Sequence, residues 1–126
     1  MPLVQVSLAA DAWVGHDAEI LDAVYRAMRE TFAVPENDRF CLLTRHGPDE
    51  IVYDRTYPGV ARSDATVFVR ITCNDTRSKD QKRALYAAIA RELAVAPGVG
   101  PDDVFVNLVE VKAENWSFGG GLMQYG

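Results

Sequence analysis

Three side chains in this 126-residue chain could do chemistry together: Pro2, Asp38 and Arg77. The chain opens Met1-Pro2-Leu3-Val4-Gln5-Val6-Ser7-Leu8. A small residue after the initiator Met favours removal of that Met, and the mature chain would then begin with proline. An amide nitrogen is not basic, whereas an α-amine titrates near neutrality and can take up or hold a proton. Retention of Met1 would leave Pro2 an inert amide. Arg77 stands just before a helix start, where free N–H groups and a partial positive charge collect. A guanidinium there can bind a carboxylate through two parallel hydrogen bonds. Its plain alternative is a surface pair with Asp75 or Asp80, the commoner fate of an exposed arginine. Asp38 either polarises a substrate hydroxyl or water, or is a turn residue, which its position alone favours. Trp116 and Phe118 either seal a core edge or wall a small apolar pocket.

Other chemistries lack their residues. His16 and His46 are far apart and have no metal-ligand spacing with Cys41 or Cys73, so no metal is expected. Gly119-Gly120-Gly121 is not a GxGxxG fingerprint, and no serine elbow or Walker motif occurs. The expected enzyme works without a cofactor. A net charge of −5 argues against a nucleic-acid partner, since phosphate binding rests on clustered Lys and Arg. No apolar run is long enough to span a bilayer, and the start lacks a basic region followed by an apolar one. Both cysteines lie in apolar stretches and read as buried thiols of a reducing cytoplasm rather than as a disulfide.

The elements that must position these groups follow from periodicity. Val4, Val6 and Leu8 alternate with Gln5 and Ser7, as in a strand with two distinct faces. After a turn at 11–15, Ile20, Leu21, Val24, Met28 and Phe32 recur at helical spacing from Asp17, and Pro35 closes that helix. Arg39 to Arg45 reads as a strand, Ile51-Val52-Tyr53 as a short hairpin arm, and 57–63 as a loop. Thr66 to Cys73 is a β-branched strand. Ser78-Lys79-Asp80-Gln81 fits a capping box, and Leu85, Ile89 and Leu93 form the next helix's stripe. Val104 to Val111 is the last long strand. At 126 residues, one domain spanning 1–126 is expected. The class is α/β (α+β): tandem β-α-β units forming one mixed sheet with both helices on one face. The opposite sheet face would need covering, which argues for an oligomer.

The whole chain resembles the tautomerase superfamily, and within it the malonate semialdehyde decarboxylase group. The matching residues are Met1-Pro2-Leu3, Phe32-Ala33-Val34-Pro35 with Asn37-Asp38-Arg39-Phe40, and Arg77-Ser78-Lys79-Asp80-Gln81-Lys82. Pro101-Asp102-Asp103-Val104 and Trp116-Ser117-Phe118-Gly119 complete the set. The resemblance implies a homotrimer in which Pro2 is catalytic, Arg77 binds a substrate carboxylate, and Asp38 supports the proline's protonation state or orients water. It also exposes a departure. The decarboxylase carries two arginines separated by one residue before the second helix, and here Asp75 stands in place of the first.

Three functions are therefore expected, in descending order. The first is keto–enol tautomerisation of a small 2-oxo acid or its enol, with neutral Pro2 as base, Arg77 holding the carboxylate and Trp116 and Phe118 as apolar walls. The second is decarboxylation of a 3-oxo acid, or hydration of an unsaturated one, with a cationic Pro2. The third is a non-catalytic trimeric binding protein in which Met1 is retained.

Overall fold

The computed structural model describes residues 2–126; Met1, and with it the expectation that it is removed, lies outside them. The chain forms β1 (Leu3–Ala9), α1 (Asp17–Phe32), β2 (Phe40–His46), β3 (Val67–Asn74), α2 (Lys79–Val95) and β4 (Val104–Val111). Short 3-10 turns at Pro101–Asp103 and Ala113–Asn115 flank β4.

Two prolines decide where the helices stop. A residue before proline is driven out of the helical region by the ring. Val34 precedes Pro35, and α1 ends at Phe32 with Ala33 in the left-handed region at φ 52°. Ala96 precedes Pro97 and is extended (φ −154°, ψ 124°), one residue beyond α2. The start of α2 has the expected capping box: Ser78 accepts from the Gln81 amide at 3.1 Å, and the Gln81 side chain accepts from the Ser78 amide at 3.0 Å. Caps of this kind contribute about 1 kcal/mol.

The four strands form one sheet in the order β2-β1-β3-β4. β1 runs parallel to β2, β3 runs parallel to β4, and the two units meet through antiparallel β1 and β3. This is the tandem β-α-β arrangement. Val4, Val6, Leu8, Val67, Val69, Ile71 and Cys73 point to one face and are buried. Against them pack Ile20, Val24, Met28 and Phe32 of α1 and Leu85, Ala88, Ile89 and Leu93 of α2. Ion pairs Arg26–Glu92 and Arg91–Glu30 tie the helices on their solvent side. Both cysteines are free thiols, Cys73 buried and Cys41 half-buried. Burial pushes both thiols up from their ordinary range, against the opposing pull of Arg39 on Cys41 and of Arg77 on Cys73.

The other face of the sheet has no helix. It carries Phe40 (48 % exposed), Leu42 (56 %), Phe105 (42 %) and Val109 (38 %) among polar residues. Tyr53 and Phe105 each pack against Phe68 there, with ring centroids 5.1 Å apart in both cases.

One expected element is absent. Ile51-Val52-Tyr53 forms no hairpin arm, and residues 47–66 contain no strand. Side chains replace a ladder in satisfying this segment's backbone. Asp54 accepts from the amides of Thr56 and Tyr57 at 2.9 and 2.7 Å. Tyr53 donates to the Ser63 carbonyl at 2.5 Å, and Arg62 to the Asp54 carbonyl at 2.9 Å. The 3-10 turn before β4 anchors the end of the segment. Asp103 accepts from the Ser63 amide (2.7 Å), the Ser63 hydroxyl (2.6 Å) and the Thr66 hydroxyl (2.8 Å).

Candidate active site

Strand direction gathers the candidate residues at one end of the sheet. β1 and β2 begin there, β3 and β4 finish there, and Leu3 lies opposite both Phe40 and Thr72. Pro2, the residue before β1, therefore lies beside the approach to β2 that carries Asp38. On its other side is the exit from β3 that leads to Arg77. The chain after β4 returns to the same end. Trp116 is fastened there by its indole N–H, which donates to Asn74 Oδ1 at 2.7 Å.

Pro2 is buried. It lines a cavity of about 220 Å³ together with Leu3, Phe40, Trp116, Ser117 and Phe118. Trp116 and Phe118 are stacked, with centroids 5.4 Å apart and planes inclined by 20°. None of the six lining side chains is charged, and Ser117 is the one polar side chain among them. In such surroundings the charged form of an amine is disfavoured relative to the neutral one.

Asp38 and Arg77 sit at this end of the sheet but are not among the residues lining the cavity. Asp38 is half-buried in the loop between α1 and β2, with its amide donating to the Pro35 carbonyl at 3.1 Å. That loop is held from α1: Tyr25 donates to the Glu36 carbonyl, and Arg39 pairs with Asp22 while lying 4.7 Å above the Tyr25 ring. Arg77 is half-buried. Its guanidinium lies 4.9 Å from the Phe32 ring centroid and donates to the Phe32 carbonyl at 3.2 Å and to the Thr76 hydroxyl at 3.3 Å. Arg77 thus caps the end of α1 with part of its five-donor fork, leaving further donors for a ligand. Among the described residues it pairs with neither Asp75 nor Asp80, and Asp80 meets Arg83 at 3.2 Å instead.

Leu3, Phe40 and Ser117 stand in the matched motifs but were not assigned to the site from the sequence, and neither was the Asn74 anchor. Phe40 reads in sequence as one more apolar strand residue. Its alternation with Cys41 was a usable signal, since Leu3 and Phe40 share the face away from the helices.

A family profile described as "Tautomerase enzyme" matches residues 38–119. The chain is 33 % identical over 127 residues to "Probable tautomerase YusQ" of Bacillus subtilis (strain 168), covering 98 % of each chain. The chain belongs to the tautomerase family. Its fold agrees with that membership. A crystal structure of malonate semialdehyde decarboxylase superimposes with a TM-score of 0.89 at 35 % identity, covering 98 % of this chain and 95 % of that one. The fused 4-OT wild-type symmetric trimer has the same fold at 18 % identity, with a TM-score of 0.76 and coverage of 95 % and 94 %. The protein is an enzyme of this family, and the profile spans Asp38, Arg77, Trp116 and Phe118.

Proposed function

We propose that this tautomerase-family enzyme interconverts the keto and enol forms of a small 2-oxo acid without a cofactor, using Pro2 as an amino-terminal base once Met1 is removed. The observation that carries this reading is that Pro2 lines an uncharged, aromatic-walled cavity. Desolvation favours a neutral secondary amine, the form a base requires near neutrality. In the enol-to-keto direction the proline nitrogen takes the proton of the enol hydroxyl. The O–H electron pair becomes the carbonyl π bond as the C=C pair moves onto the neighbouring carbon, and that carbon takes the proton back from the prolinium. Arg77 receives the substrate carboxylate and stabilises the negative charge that develops between the two transfers. Asp38 favours the protonated amine and so opposes desolvation, which keeps the base from becoming too weak.

The test is ketonisation of phenylenolpyruvate, followed by ultraviolet absorbance, with untagged protein whose intact mass shows loss of Met1. Pro2→Ala is expected to lower kcat by about 10²- to 10⁴-fold, the usual contribution of a positioned acid–base group. Equal rates in the two proteins would remove Pro2 from the mechanism.

A second reading, decarboxylation of a 3-oxo acid or hydration of an unsaturated one, is favoured by the 35 % identity to malonate semialdehyde decarboxylase. There a cationic Pro2 would stabilise the charge arriving on the substrate carbonyl oxygen. Asp75 opposes it by placing a carboxylate two residues before Arg77. Asp75→Arg is expected to raise decarboxylation of malonate semialdehyde at least ten-fold. A soluble variant showing no gain would exclude Asp75 as the block.

We further propose that three copies associate through their open sheet faces and that the enzyme works in the cytoplasm. Support for association is the exposure of Phe40, Leu42, Phe105 and Val109, which stay 38–56 % exposed on the sheet face away from the helices.

A further inference from the structure

The wall of the Pro2 cavity is held from beyond itself. Three of its six lining residues, Trp116, Ser117 and Phe118, come from one stretch of irregular backbone after β4. The indole–Asn74 bond fixes the Trp116 end of that stretch. The Phe118 end is fixed by the last residues of the chain. The Gln124 side-chain oxygen accepts from the Phe118 amide at 3.0 Å, and its NH₂ group donates to the Gly119 carbonyl at 3.0 Å. One side chain thus bridges the N–H of one residue and the C=O of the next. The reversal needed to bring Gln124 back is made by Gly119, Gly120 and Gly121, with φ of +135°, +69° and +70°, where a side chain would be strained. It also sets Tyr125 and Phe118 in a T-shaped pair, with centroids 5.0 Å apart and planes at 73°. Phe118 therefore touches two rings, stacked with Trp116 and edge-on to Tyr125.

We propose that Gln124 and Tyr125 are positioning residues for substrate binding: they clamp Phe118 in the stacked orientation that shapes the cavity beside Pro2, and so set affinity for substrates with an aromatic or bulky apolar tail. This deepens the tautomerase reading and rests on it. Neither side chain lines the cavity, so both act through Phe118 on binding and not on proton transfer.

The experiment compares Gln124→Met, which keeps the length without the hydrogen bonds, and Tyr125→Ala with the unaltered enzyme on phenylenolpyruvate. Each variant is expected to raise KM about five- to ten-fold, the scale of one or two net hydrogen bonds or one aromatic pair, with kcat within about two-fold. Tyr125→Phe keeps the ring on Phe118 and is expected to restore the KM lost in Tyr125→Ala. Unchanged KM in both variants, or kcat falling in step with the melting temperature, would overturn the proposal. Calorimetric binding of phenylpyruvate repeats the comparison without turnover. Weaker binding in Gln124→Met by an enzyme with no tautomerase activity would sustain the clamp and reject the tautomerase reading. Absence of binding by the unaltered protein would reject both.

Discussion

Arg77 shows how one side chain serves both the fold and the site. Its guanidinium caps the Phe32 carbonyl and lies over the Phe32 ring, tying the α1 terminus to the turn before α2. A planar fork can do this and still present N–H groups to a carboxylate, whereas an ammonium on a flexible stem is a point charge that can do one or the other. Arg77→Lys is therefore expected to raise KM for a 2-oxo acid about ten-fold and to lower the melting temperature, although the charge is unchanged. Steady-state kinetics and thermal unfolding of the same preparation check both, and an unchanged KM would mean that Arg77 is a helix cap alone. Arg77 was legible as a candidate because of its place before a capping box. Its packing on Phe32 was not legible, because 45 residues separate the two.

At the level of elements, the strands and helices follow from period and punctuation, and the prolines at 35 and 97 stop both helices as a pre-proline clash requires. The segment 47–66 behaves differently because long-range polar contacts hold it. Asp103 is its anchor. Burial pushes that carboxyl up, but hydrogen bonds from the Ser63 hydroxyl and amide and the Thr66 hydroxyl, with the Arg55 charge, outweigh it and hold it below its ordinary value. A carboxyl whose folded pKa lies below its unfolded one adds stability above the unfolded value, about pH 4, and loses it as pH falls through the folded value. Asp103→Asn is expected to melt at a lower temperature than the unaltered protein at pH 7. The gap should narrow as pH falls below about 4 and close only below the folded value, where the native carboxyl also becomes neutral. A gap independent of pH would show that the anchor is shape and not charge. Ile51-Val52-Tyr53 looked like a strand because its β-branched and aromatic residues suit one. Among the described residues no backbone pairs with it as a strand, and Asp54, Tyr53 and Arg62 close the loop instead.

For the whole molecule, one sheet face is packed by two helices and the other carries exposed apolar side chains, the face proposed above to meet other copies. Phe68 and Phe105 pair across β3 and the edge strand β4 on that open face, and Phe105→Glu would place a carboxylate where a neighbouring copy would have to desolvate it. Light scattering is expected to find a trimer in the unaltered protein and a monomer in the variant; an unchanged mass would locate the interface elsewhere. The sequence by itself determined the two β-α-β units, both helix ends, the buried stripes and the proline beside the first strand. Each of these is written in local periodicity, in caps or in the steric rule before proline. Tertiary structure decided the rest. The parallel and antiparallel pairings bring two strand starts and two strand ends to one edge. That placement assembles a cavity from residues 2, 3, 40 and 116–118 and brings Asp38 and Arg77 to the same end of the sheet without putting them in its lining. No local pattern carries such information, because a site built from four strand termini exists only once their register is set.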